Sequence, residues 1–206
     1  MTTPEYQKIT QAINYLAKHC GSAGVLNRMK AIKLLYIADR YHLRKYGRPL
    51  AFDIYFAMKN GVVGSLAKDL TEDSDFLDNE VRNYANRYIQ RVSEHELKTV
   101  GDFDRKVFSE TDLEALDFSA LNFGQFDQFY LGDFTHVLPE WKKHEKEALV
   151  PGNRVSMSYT DFFEDPLQSE PLSNKYAHLL DFFKQGSTET AKEIFQEWNE
   201  QAKLWA

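Results

Sequence analysis

Between Asn27 and Pro49 the chain writes a helix with both ends marked, and this segment constrains the fold more than any other. Asn27 is a good N-cap, because its side-chain oxygen can accept from a free N–H of the first turn. Gly47 suits the left-handed residue that closes a helix, and Pro49 blocks continuation. Ile32, Leu35, Tyr36 and Leu43 lie on the face expected to be buried. Upstream, Tyr6, Ile9, Ile13, Leu16 and Ala17 recur at steps of three and four, which predicts a helix ended by Gly21 and Gly24. Downstream, Phe52 to Met58 is rich in aromatic and β-branched types and reads as a short strand stopped by Asn60-Gly61.

The remaining elements follow from weaker local signals. Ser65 to Leu70 reads as a short helix, and Tyr88–Val92 with Leu97–Val100 as a hairpin. Ser109 with Asp112, or Thr111 with Glu114, can form a capping box that opens a helix to about Gln128. A further helix is expected from Asp133 to about Glu147, and an edge strand at Val155–Tyr159. Asp165-Pro166 and Glu170-Pro171 mark a loop, and Asn174 to Trp205 reads as two helices broken at Gly186. The expected fold is therefore mainly α (α+β): a compact helical domain with a small antiparallel sheet or hairpin, plus C-terminal helices. Strands do not alternate with helices as a doubly wound fold requires. Residues 1–165 are read as one domain and 166–206 as a helical extension that packs on that domain or on a partner.

Composition narrows the function class. With 43% hydrophobic and 14% aromatic residues in 206, the chain can fill a core. No apolar run approaches the roughly 20 residues of a membrane helix, and Met1-Thr2-Thr3-Pro4-Glu5 does not read as a secretory leader. The single cysteine, Cys20, excludes an internal disulfide and a cysteine-built zinc site. These features lead to the expectation of a cytoplasmic protein without membrane contact. A net charge of −6 argues against general nucleic-acid binding, which needs a surplus of basic residues.

Two ordered segments carry a resemblance. The first reads Lys33-Leu34-Leu35-Tyr36-Ile37-Ala38-Asp39, then Gly47-Arg48-Pro49-Leu50, then Asp53-Ile54-Tyr55-Phe56-Ala57-Met58 and Gly61-Val62-Val63-Gly64-Ser65. The second is Leu131-Gly132-Asp133-Phe134-Thr135-His136, ending at Trp141. Together they resemble the Panacea domain of SocA-like antitoxins, over roughly residues 5–163. The chain departs from that pattern at Phe52, where a glycine is usual, at Val62, where a proline is usual, and at Gly132, where a serine is usual. The resemblance implies an antitoxin of the kind carried by prophages and mobile elements, which binds a cognate toxin directly. The toxin would be encoded by the adjacent gene. It also raises the alternative of a proteolytic adaptor that hands the toxin to a Clp protease.

Weighed residue by residue, the polar groups read as scaffold. Asp39-Arg40-Tyr41-His42 occupy successive helical positions and so point in four directions. Asp39 is expected to fix the following loop, through Arg48. Asp53, at a strand entry, can cap backbone N–H groups. His136 and Trp141 are expected to join it in one polar cluster. A small enzyme built on Asp53 and His136 is the competing reading, and a DNA-binding autorepressor another. His136, Glu140 and His144 raise a chelating site only weakly. No catalytic residue, metal or cofactor is expected. Lys59, Lys68, Arg82, Arg87 and Arg91 are offset by Glu72, Asp73, Asp75, Asp78 and Glu80.

Val107 to Trp141 holds no Lys or Arg, seven acids and many aromatics. Most of these aromatics should fill the core. Asp112, Glu114, Asp117 and Asp127, with Phe126 and Tyr130, are the expected surface for a basic toxin. Trp198 and Trp205 are added from the apolar tail.

Overall fold

The computed structural model describes residues 4–166, 174–184 and 188–204. These form α1 (Glu5–Cys20), β1 (Val25–Asn27), α2 (Arg28–Tyr46), β2 (Tyr55–Met58), β3 (Gly61–Gly64), α3 (Ser65–Glu72), α4 (Asn79–Ala85), β4 (Ile89–Arg91) and β5 (Glu96–Thr99). They continue as α5 (Glu110–Phe123), α6 (Gln128–His136), α7 (Pro139–Lys142), α8 (Glu145–Ala148), β6 (Val155–Ser156), α9 (Ala177–Leu180) and α10 (Thr188–Leu204), with short 3-10 turns between some of them. The fold is mainly α, with two small antiparallel sheets among the described residues.

Helix α2 is the axis of the molecule. Every residue from Ala31 to Arg44 is buried, because α1, α3, α5, α6 and α10 all pack against it. Its ends are the ones the sequence marks. The Asn27 side chain accepts from Lys30 N at 3.1 Å, and Gly47 sits at φ 70° with its N–H bonded to Leu43 O. Gly47 is needed for a second reason: a Cβ there would strike Ala191 and Ile194 of α10.

One sheet has the order β1-β5-β4 and the other β3-β2-β6. The expected Tyr88–Val100 hairpin is present as β4–β5, with Ile89 opposite Thr99. The strand expected over Phe52–Met58 is shorter, and it pairs through the Lys59-Asn60 turn with β3, a strand the sequence did not announce. The edge strand expected over Val155–Tyr159 is confined to Val155–Ser156, after which the chain winds into a 3-10 turn at Tyr159–Phe163.

Two helix boundaries differ from expectation. Ser109 and Asp112 do form the reciprocal capping box, but α5 stops at Phe123 rather than near Gln128. Asp127 then caps a new helix, accepting from Phe129 N and Tyr130 N. The segment Asp133–Glu147 is broken into pieces because Pro139 has no N–H to continue α6 and instead opens α7. In the tail, α10 lies on α2, and Phe195 packs on Phe163. The break expected at Gly186, the Glu170-Pro171 part of the loop and Trp205 lie outside the described residues.

Candidate functional site

The four successive polar residues of α2 do diverge, and each finds its own partner. Asp39 is fully buried and accepts from Leu50 N and Ala51 N, and from the Tyr159 hydroxyl at 3.1 Å. It therefore fixes the loop through backbone amides and not through Arg48. Burial pushes its carboxyl above the ordinary value, against the pull of these donors. Tyr159 also donates to Asp53 O at 2.8 Å, tying the two aspartates' segments together.

Asp53 does what a missing N-cap would do. Gly64, ahead of α3, has no side chain to offer, and the Asp53 carboxylate instead accepts from Leu66 N and Ala67 N, each at 2.9 Å. A Cβ on Gly64 would strike that carboxylate, so the two residues belong together. Burial raises Asp53 to about 6.

Arg40 and Glu140 are both fully buried and paired at 2.6 Å, and the Tyr36 hydroxyl donates to the same carboxylate oxygen. The Phe183 ring lies 4.7 Å from the Arg40 guanidinium. One turn on, Arg44 donates to Phe162 O and Glu164 O and pairs with Asp165. This network fastens α7 and the 159–165 segment to α2. Glu140 is thus turned away from any role with His136. Among the described residues no group of three His, Cys, Asp or Glu is placed to hold a metal ion.

A third network lies at the start of α5. Asp112 is buried and pairs with Lys8 and Arg48, each at 2.8 Å. Burial works against its charge, but the hydrogen bonds and these cations outweigh it and hold its carboxyl low. His42 sits beside it, bonded to Arg48 O and Thr111, with burial lowering its ring to about 4. Glu114 is taken up by Tyr41, Lys45 and Tyr46, and those hydrogen bonds overcome partial burial to hold it down to about 2.

His136 and Trp141 form a fourth group. Their rings are 4.0 Å apart, and Trp141 Nε1 donates to Met58 O at 3.0 Å, pinning the β2–β3 hairpin. Close by, Val62 N donates to Thr135 Oγ1 at 3.2 Å, a bond that the usual proline at this position has no hydrogen to make. Asp39, Arg48, Asp53, His136 and Trp141 therefore do not converge. Asp39 and Asp53 share Tyr159, Arg48 serves Asp112, and His136 with Trp141 braces the hairpin.

The expected acidic face is divided: Asp112 is spent inside the fold and Glu114 is held by Tyr41, Lys45 and Tyr46, whereas Asp117 and Asp127 stay exposed. Asp112 is a correction: it is 1% exposed and has no free surface to offer. Its place in the capping box made it look solvated, but Lys8 and Arg48 close over it. Asp117 is exposed and accepts from the Tyr15 hydroxyl, and Asp127 is an exposed cap. Phe126 stacks on Tyr130 at 4.5 Å, and both are half-buried. The most open apolar side chains in this region are ones not singled out above: Leu121, 80% exposed, and Phe129, 69% exposed. Trp198 remains partly open while leaning on Phe52, 5.4 Å between rings.

Sequence reasoning passed over Arg44, did not pair Arg40 with Glu140, and met Lys33 only as part of the family resemblance. Lys33 is 1% exposed, donates to Val62 O, and is lowered by burial to about 7. The one signal available was its position, one residue after Ile32 in a helix apolar on several sides.

Comparison with known proteins places these networks in a family context. The family model described as antitoxin SocA-like, Panacea domain, matches residues 32–142, just over half of the chain and the stretch from α2 to α7. No curated protein and no solved structure matches the chain.

Proposed function

The chain belongs to the SocA-like antitoxin family that carries the Panacea domain, and from that premise we propose that it neutralises a cognate toxin by binding it directly. The observation that carries the reading is the outer surface of α5 and α6. Glu110, Glu114, Asp117 and Leu121 fall at steps of four, three and four along α5, on one side of that helix. Leu121 stands open at its end, and Phe129 stands open in the first turn of α6. Asp117, Asp127 and Asp133 are exposed on the same two helices. An apolar anchor with an acidic surround suits a toxin surface that carries Lys and Arg beside an apolar pocket.

The interior supports the same reading. Asp39 and Asp53 spend their oxygens on backbone amides and a tyrosine, and Glu140 Oε1 is held by Tyr36 and the buried Arg40. Such carboxylates serve shape better than turnover.

The test is co-expression with the product of the neighbouring gene. Growth arrest by that product alone, rescue by this chain and recovery of a complex are the expected results. Replacing Leu121 and Phe129 together by Asp should weaken the complex by about 30-fold or more with the fold intact. Unchanged affinity would remove this surface from the proposal, and no association at all would remove the antitoxin reading. Toxin that disappears only in cells holding a Clp protease would select the adaptor alternative over blocking.

A further inference from the structure

The N-terminal half of α2 borders a cavity that none of the four networks uses. It measures about 360 Å³ and lies between α2, the β2–β3 hairpin, α3 and the Pro151–Asn153 loop. Met29, Ile32, Met58 and Val63 give it apolar walls. Its charged lining is Arg28, Lys33, Lys59, Lys68 and a single acid, Glu72.

That balance is unusual for a chain of net charge −6. Glu72 is already shared between Arg28 at 2.6 Å and Lys68 at 2.5 Å. Among the described residues no carboxylate pairs with Lys33 or Lys59. Lys33 is nearly completely buried, and its ammonium donates to a neutral carbonyl, Val62 O. Other cationic or titratable neighbours, Arg28, Lys59, Lys68 and the His136 ring, supply no negative charge. A buried ammonium without a counter-ion is costly, and the protein meets that cost by letting the amine titrate near 7. Exposed Lys59 stands on the hairpin turn beside the same space.

We infer that this cavity is a binding site for a small amphipathic anion, its acidic head against Lys33 and Lys59 and its apolar body between Met29, Ile32, Met58 and Val63. The volume suits a body of roughly ten non-hydrogen atoms, at the small end of ligand pockets. The head group is a carboxylate or a phosphate monoester. Both offer the oxygens that two ammonium groups lack. The inference does not depend on toxin binding and stands or falls separately from it.

Calorimetric titration of the full chain with octanoate, octyl phosphate and 1-octanol tests it. The expected result is one saturable site for an anion, with octanol at least about tenfold weaker, because the head group supplies the specificity. The stronger of the two anions identifies the head. Lys59→Gln, at an exposed position, should lower affinity about fivefold without touching the fold. Lys33→Met should lower it at least about tenfold, and the apolar walls accept methionine, so this variant folds. Ile32→Trp should fill the space and abolish binding. Equal affinity for octanol and the anions, undiminished binding in both lysine variants, or no saturable heat with any of the three ligands would each overturn the site.

Discussion

The two halves of α2 each bury a cation, and they treat it in opposite ways. In the C-terminal half, Arg40 meets Glu140 at 2.6 Å, with Tyr36 on the same carboxylate and Phe183 against the guanidinium. Burial opposes its charge, but Glu140 outweighs that and keeps it protonated. In the N-terminal half, Lys33 is as deeply buried and has only a carbonyl to bond, so it drifts down to about 7. The difference teaches that burial alone does not decide what a charged residue does. A matched pair becomes architecture, whereas an unmatched cation beside a cavity is an unfilled requirement.

The largest expected effect breaks the matched pair. Arg40→Met leaves the Glu140 charge and the Tyr36 hydroxyl buried without their partner, and should cost about 3–5 kcal/mol in urea unfolding. Adding Glu140→Leu to that variant should recover most of the loss, since two apolar side chains carry no stranded charge. A single variant that unfolds at the wild-type urea midpoint would mean the pair is not the fastening it looks to be. Asp39→Ala comes next. It strands Leu50 N and Ala51 N, and leaves Tyr159 with Asp53 O alone of its two acceptors, so a loss of about 3 kcal/mol is expected in the same assay. Arg48→Ala should have little of this effect, because Arg48 serves Asp112 instead.

How much of this was legible depended on distance along the chain. The ends of α2 are local chemistry, Asn27 bonding Lys30 and Gly47 turning left-handed, and they were readable. The capping box at Ser109 was readable for the same reason. Strand β1 is three residues long and exists because Glu96–Lys98 pairs with it, which no local pattern announces. Strand β3 contains two glycines, Gly61 and Gly64, and owes its place to the turn before it and to the Asp53 cap behind it. The site was less legible than the fold. Arg40 and Glu140 lie 100 positions apart, so their match is a property of packing. Asp112 looked like a solvent-facing acid until Lys8 and Arg48 were placed over it, and the openness of Leu121 and Phe129 is equally a tertiary fact.

The unmatched cation gives a prediction of opposite sign. Its amine titrates at about 7 in the fold against 10.5 in an open chain. The folded value is depressed, so the stability Lys33 permits is full above 10.5 and is lost as pH falls toward 7. Lys33→Met removes that loss and forfeits the bond to Val62 O, so at pH 7 it should stabilise by about 2 kcal/mol. The advantage should fall by about 1.2 kcal/mol per pH unit on average between 7 and 10, vanishing near about pH 9 and reversing above it. Denaturant midpoints across that range check it. A constant difference between wild type and variant would show that Lys33 keeps its charge, and with it an undiscovered counter-ion.

The smallest effect concerns the loop that Asp39 holds. Phe52 has φ 55°, a region costly for a side chain, at the position where the resembled pattern has glycine. Its ring leans on Trp198 of α10. Glycine would relieve about 1 kcal/mol of strain but add about as much unfolded-state entropy and give up an aromatic contact of about 1 kcal/mol. Phe52→Gly alone should therefore shift stability by less than about 1 kcal/mol, and the informative measurement is the cycle with Trp198→Ala. A coupling of about 1 kcal/mol would mean that this chain keeps a strained phenylalanine to seat its tail helix on the well-matched half of α2. Zero coupling would leave the strain without that compensation, and α10 would then be seated by Ala191 and Ile194 against Gly47 and by Phe195 against Phe163.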